Sequence, residues 1–381
     1  MGVSSMGNEQ PMAKIGVGPE GRPAALIQFI VLTAVLTGIF VYAVEPFTII
    51  MNILPATLPM LIALGLLVLA GDSFPFSPPG GNWNPTKSRL TAGLGMMVIW
   101  AVFTALFIII MLYAFPKWPM SPLFIWWGAL GFGATLLYCI NWNCFPVKGK
   151  VHPWVAMIVA LIVVLIVASL IWTNLTNAEG TPFAGSPFNH KGPFQADWLT
   201  GFVLWFICGF FIFSPVFTTQ QFPFGKLGHP GGAIAQTIAA FIVALVCWNG
   251  TFALGINPGF SAQGVASTMI FWALVYGWHF QFWGITKLTG GSRAIAALIV
   301  QIVLTAIWLA ILNVILKPAA DNLAAALTAA KLPPIADINT LILYLNLCIV
   351  GPALIAHNAF FLRWPLTLPT PPGTPPPDQS V

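Results

Sequence analysis

Charge is what this chain has least of. Only 6% of its 381 residues are Asp, Glu, Lys or Arg, while 58% are hydrophobic. A soluble domain charges roughly a quarter of its residues. So few charges cannot cover a water-facing surface, and most of the surface must face lipid. The expected class is an all-α integral membrane protein. The formal net charge of +5 does not point to nucleic acid, because the basic residues stand singly in short loops. Cysteine is also scarce. Cys139, Cys144, Cys208, Cys247 and Cys348 lie in or at the ends of apolar runs with no Cys-x-x-Cys pair, and read as small buried hydrophobes.

The apolar runs have no charge at their centres. No Asp, Glu, Lys or Arg falls in the middle of any of them, and only His279 and His357 lie inside, toward one end. This argues against a buried carboxylate proton relay and against a metal site with several acidic ligands. His152, His229, His279 and His357 share one side and have the chemistry to ligate haem or copper. None is paired at i, i+3 or i, i+4, so no metal ligand is assigned and the cofactor stays open. The chain also lacks His-Glu-x-x-His, Gly-x-Ser-x-Gly, paired aspartates and a phosphate-binding loop, so no catalytic residue is assigned. The first apolar run is too long for a cleavable signal and no Ala-x-Ala follows it. Met6 stands where myristoylation needs Ser or Thr.

What is present is a repeated turn. Phe145-Pro-Val-Lys-Gly-Lys-Val-His-Pro153 and Phe222-Pro-Phe-Gly-Lys-Leu-Gly-His-Pro230 share Phe-Pro, a five-residue basic spacer and His-Pro. The matched residues are Phe145, Pro146, His152 and Pro153 in one, and Phe222, Pro223, His229 and Pro230 in the other. Each turn joins two runs of about twenty apolar residues, the length that spans a bilayer. Its final proline is tolerated in the first turn of the next helix. Looser copies stand at Phe74-Pro75 to Arg89, at Lys287 to Arg293 and at Arg363-Trp-Pro365. The turns serve as interfacial anchors or converge on a shared vestibule.

Ten runs follow, at about 24–44, 48–70, 90–115, 123–143, 154–174, 198–220, 231–250, 264–284, 294–316 and 339–361. They predict ten transmembrane helices in five helical hairpins, every basic turn on one face. The expected organisation is a cytoplasmic segment 1–23, a transmembrane domain 24–363 and a Pro-rich disordered cytoplasmic tail 364–381. Lys14, Arg22, Lys87, Arg89, Lys148, Lys150, Lys226, Lys287, Arg293 and Arg363 fall on the face of the turns and termini. Only Lys117, Lys191, Lys317 and Lys331 fall opposite. Positive residues stay inside, so the turns and both termini are expected in the cytoplasm, with the protein in the plasma membrane.

Polar and helix-breaking residues inside the runs nominate a substrate path: Asn52 with Pro55, Pro215, Asn346 with Pro352, and the two inner histidines His279 and His357. Broken helices in an internally repeated fold point to a transport site. The expected function is a transporter or facilitator for a small uncharged or weakly polar solute. The alternative is a membrane anchor or subunit of a larger complex handling a lipid or quinone, suited by sixteen Trp and thirty Phe. A histidine-ligated membrane enzyme is the third reading. Expected partners are the lipid bilayer, the solute, and membrane or peripheral proteins, but not nucleic acid.

Overall fold

Backbone groups in hydrocarbon must find their partners within their own segment, so each apolar run winds into a helix. The computed structural model describes residues 22–45, 48–49, 53–74, 89–114, 126–179, 191–331 and 336–361. Asn52, most of the first basic turn, Arg363-Trp-Pro365 and the Pro-rich tail lie outside the described residues.

Helix α1 is Arg22–Thr37, widened into a π-helix over Gly38–Ala43. Helix α2 is Leu54–Gly65 with a π segment Leu66–Ala70, and α3 is Arg89–Ala114. Helix α4 is Gly128–Leu136 with a π segment Leu137–Asn141, and α5 is Pro153–Leu175. Two short strands, β1 (Thr176–Asn177) and β2 (Phe194–Gln195), pair in parallel before α6 (Ala196–Phe213). Helix α7 is Gly231–Ala253. Helix α8, Ser267–Leu274, lies between π segments Phe260–Ala266 and Val275–His279. Helix α9 is Gly290–Ile315 and α10 is Lys317–Ala329. Helix α11 runs Ile338–Leu343, then π over Tyr344–Val350, then Gly351–Ala359. Seven of these helices are long and apolar enough to cross a membrane, and the chain is an all-α integral membrane protein by that measure.

The helices form two layers. Helices α2, α4, α6, α8 and α11 make a closed inner ring, in which α2 touches α4, α4 touches α6, α6 touches α8, α8 touches α11 and α11 touches α2. Helices α1, α3, α5, α7 and α9 lie outside, each packed into a groove of that ring: α3 against α2 and α11, α5 against α4 and α2, α7 against α6 and α4. Only 22% of the α1 window and 28% of the α5 window is buried, against 61% in α6 and 67% in α11.

Composition explains the division. The outer helices bury one stripe at four-residue spacing: Ala156, Ala160, Val164, Ala168 and Trp172 on α5, and Gly232, Gln236, Ala240, Ala244 and Trp248 on α7. Such a stripe follows the oblique i±4 ridge, so the outer helices cross the inner ones at an angle. Small residues on it let backbones approach closely. The opposite faces carry β-branched and long aliphatic residues, as Ile158, Ile162, Ile166 and Leu170 do on α5. These faces make an apolar belt suited to acyl chains.

The turns share a backbone device. Pairs of residues with positive φ occur at Asp72–Ser73, Asn143–Cys144, Gln220–Gln221 and Gln281–Phe282, each followed by an aromatic residue: Phe74, Phe145, Phe222 or Trp283. Three carry one hydrogen-bond pattern. In the first, Gly71 N–H donates to Leu66 O at 2.9 Å, Ser73 N–H to Leu67 O at 2.9 Å and Phe74 N–H to Gly71 O at 2.9 Å. The same three bonds recur from Trp142, Cys144 and Phe145, and from Phe280, Phe282 and Trp283. The pair at 220–221 differs because Ser214-Pro215 inserts extra residues, and Thr219 N–H reaches Ile212 O instead.

Successive turns also clasp one another. The Phe74 ring lies 4.8 Å from His152, and Phe145 lies 4.9 Å from His229. Phe222 continues the series but meets Gly291, where a Cβ would come within 3.1 Å of its ring. Phe361 fills the space beside Gly93 and brings the end of α11 back to α3. His152 caps α5 by accepting the Trp154 N–H at 3.4 Å, and a His229 ring nitrogen is 3.2 Å from the Trp142 carbonyl. Both Phe-Pro bonds of the twin turns, and His229-Pro230, are cis.

Lys148 ties the first turn to the second through a 2.9 Å ion pair with Asp72 and a hydrogen bond to the Leu69 carbonyl. Both side chains keep about a quarter of their surface in water (23% and 26%), which screens the pair. Asp72→Asn is therefore expected to cost about 1 kcal/mol or less. In a thermal melt the deficit should shrink as salt is raised.

Candidate functional site

The inner ring encloses a cavity on its turn side. Each of the five inner helices contributes: Leu61, Leu64, Gly65, Val68 and Leu69 from α2, and Phe132, Leu136 and Ile140 from α4. Phe211 and Phe217 come from the end of α6 and the bend after it. Ile270, Phe271, Leu274 and Trp278 come from α8, and Leu347, Gly351, Pro352 and Ile355 from α11. The space between them, open ends included, is about 610 Å³. Among the described residues no charged side chain lines it.

Local geometry makes the room. The lining residues of α2, α4, α8 and α11 fall in or beside π segments, wide turns that are frequent at functional sites. In α11 the cause is legible: Pro352 has no N–H to donate, and the helix upstream opens to i−5 bonding, with Gly351 N–H donating to Asn346 O. A Cβ on Gly351 would lie 2.7 Å from that oxygen, so the position needs glycine. Helix α6 has no π segment and simply ends at Phe213, ahead of Pro215.

Away from the turns the ring is tight. A Cβ on Gly128 would meet Leu58 at 2.9 Å, and one on Gly131 would meet Ile62 at 3.0 Å. Glycines on this face of α4 let it approach α2 closely. Polar braces complete the seal: Trp205 Nε1–H donates to Ser261 Oγ at 3.0 Å, Ser261 and Thr251 hydroxyls are 2.6 Å apart, and Thr340 Oγ1–H donates to Gln263 Oε1 at 3.0 Å.

The sequence-nominated residues do not all meet at the cavity. Pro352 lines it. Pro55 sits in the first turn of α2, where it breaks nothing, and Pro59 is the proline inside that helix. Pro215 lies beyond the end of α6, so the reading of a kink within that helix gives way to a helix stop. Asn346 is fully buried, accepts Trp308 Nε1–H at 3.0 Å and donates to Thr268 Oγ1 at 2.9 Å, bracing α11 to α9 and α8. His279 is 3.1 Å from the Ala25 carbonyl and His357 is 2.7 Å from Gln28, so both histidines bind α1. Among the described residues no three His, Cys, Asp or Glu side chains cluster as metal ligands.

Three further elements lie outside the residues nominated for the path. The cavity lining is built from Leu, Ile and Phe, which look like any core. Gln301 bridges layers, with Nε2–H donating to Met269 O at 2.7 Å while its Oε1 accepts Thr218 Oγ1–H at 2.6 Å. Asn358 is 3% exposed, and neither amide atom has a hydrogen-bond partner among the described residues.

The fold and cavity define a helical membrane protein with an apolar chamber bounded by all five helices of its inner ring. Comparison with protein families, characterised proteins and solved structures finds no match to this chain, so its own residues carry the functional argument.

Proposed function

We propose that this protein is a membrane transporter or facilitator for a small uncharged or weakly polar solute, which moves along the axis of the inner ring. The observation that supports it is the axial cavity bounded by all five inner helices and free of charged side chains. Along that axis a charged solute would find no counter-charge, at a cost of several kcal/mol in hydrocarbon. In this reading the recurrent turns mark five hairpins and ten spans, three beyond the seven that length and hydropathy alone support. The turns and both termini face the cytoplasm of the plasma membrane.

Purified protein in liposomes should release a trapped neutral solute from a panel of polyols, alcohols and amides faster than empty liposomes do. Ile355→Trp, which fills the cavity, should bring release down to the empty-liposome rate. Ile162→Trp, on the lipid-facing belt, should leave it within about twofold. Equal loss in both variants, or no release of any solute, argues against the reading. An impermeant thiol reagent that labels Lys226→Cys from outside right-side-out cells would reverse the orientation.

The apolar lining also favours a second reading, a subunit that holds a lipid or quinone for a larger complex. That protein would co-purify with a membrane or peripheral partner and show no flux by itself.

A further inference from the structure

The lining sets the chemistry of the ligand. Every side chain around the cavity ends in C–H groups apart from the Trp278 indole. A polar group buried there without a partner costs about 1–3 kcal/mol, so what fills the chamber is hydrocarbon. A pure hydrocarbon, however, dissolves in the bilayer and crosses it without a protein. The ligand must therefore carry a polar end, and that end must lie where the protein has unused hydrogen-bonding capacity.

Asn358 supplies it. On α11 the residues Gly351 and Ile355 line the cavity, and Asn358 follows Ile355 by three, the spacing that keeps one helix face. That places it just beyond the lining on the turn side, next to the residues that line the cavity and not among them. Its amide is buried at 3% exposure, with donor and acceptor both unpartnered among the described residues. Buried amides in native proteins are nearly always hydrogen-bonded. Asn141 and Gln236 share the unpartnered condition, and Asn358 stands apart by its place on the α11 face that carries Gly351 and Ile355. A carboxamide presents N–H donors and a carbonyl acceptor together, which matches a hydroxyl or another neutral group that both donates and accepts.

We propose that the cavity binds a neutral, one-ended amphiphile, its hydrocarbon body between the five inner helices and its hydroxyl-like head on Asn358. This rests on the transport reading above and names the solute class. An anionic head is disfavoured, because no charged side chain is among the described residues that line the cavity.

The test uses the full chain in lipid nanodiscs and a long-chain primary alcohol with a diazirine in its tail. The alkane and the carboxylate of equal length serve as comparisons. After photolysis, adducts from the alcohol are expected on residues 61–69 and 347–355, saturable and about tenfold stronger than from the alkane, the ratio that one net hydrogen bond of about 1.4 kcal/mol gives. Asn358→Leu should reduce the alcohol to the level of the alkane, yet melt at or above the wild-type temperature, since it removes an unpaired buried amide. Ile355→Trp should remove inner adducts from both probes. Adducts confined to the outer belt overturn the proposal, as does stronger labelling by the carboxylate. So does an Asn358→Leu protein that melts lower but labels normally, which would make the amide structural. If labelling holds and liposomes show no flux, the site stands and the transport reading falls. If short polyols flow and no inner adduct forms, the transport reading stands and the amphiphile falls.

Discussion

Gly209→Ala is expected to lower the melting temperature of the protein more than Gly201→Ala does, although both add one methyl to the same face of α6. At Gly209 the new Cβ would sit 2.8 Å from the Cα and the carbonyl oxygen of Ala240 on α7. Those are backbone atoms, and they move only if the helices separate. At Gly201 the obstacle is the Trp248 indole, a side chain that can swing toward the lipid. Alanine is the better helix former by about 1 kcal/mol, so any loss must come from packing. Overpacking of this kind costs about 1–3 kcal/mol, and an immobile obstacle belongs at the upper end. Ala240→Gly added to Gly209→Ala should rescue little, because the clash is with the Ala240 main chain and not its methyl. Full rescue, or a Gly209→Ala protein as stable as wild type, would show that α6 and α7 are not held at this distance. The effect should reach function as well, because Phe211, two residues from the clash, lines the cavity.

This close contact shows what could be read in the sequence and what could not. Hydropathy locates the apolar runs, and the helices fall on them within a few residues. The 317–338 connection, amphipathic in sequence, carries a helix with Ala319, Leu323 and Leu327 buried at four-residue spacing and Lys317 3.2 Å from Asp321 on the wet side. The two-layer arrangement is hidden from hydropathy, because a lipid-facing side and a protein-facing side are both apolar. The usable signal is size: a four-residue stripe made mostly of Ala and Gly and ending in Trp on α5 and α7, with Ile and Val opposite. The turns were legible as Phe-Pro and His-Pro. Their left-handed residue pairs were not, since Asn143–Cys144 and Gln281–Phe282 share a conformation and no chemistry. Of the residues nominated for a path, Pro352 lines the chamber, whereas Asn346, His279 and His357 bond to neighbouring helices, and the rest of the lining is apolar and not set apart by hydropathy.

The polar residue with the largest expected effect is one that hydropathy passes over. Gln301→Leu keeps the volume on α9 but strips the Thr218 hydroxyl and the Met269 carbonyl of their shared partner, both in a buried layer. In water-soluble proteins each orphaned group costs about 1–3 kcal/mol. In bilayers, interhelical bonds average nearer 0.6 kcal/mol, because unfolded helices also find partners in the membrane, with about 1.7 as the upper value. The membrane figure governs here, so a loss of about 1–3 kcal/mol from the two bonds is expected in a thermal or SDS-induced unfolding curve. Adding Thr218→Val should recover only the hydroxyl's share. The carbonyl of Met269 keeps its bond within α8 but loses the second one that Gln301 supplies, and no change at Thr218 replaces it. It sits one residue before Ile270 and two before Phe271, both on the cavity wall. Loosening of α9 from α8 at that point should reach the wall, and labelling of its α8 side by an apolar probe should fall in step with stability. If Gln301→Leu unfolds as the wild type does, or if Thr218→Val restores it completely, the amide is not holding α9 to the inner ring.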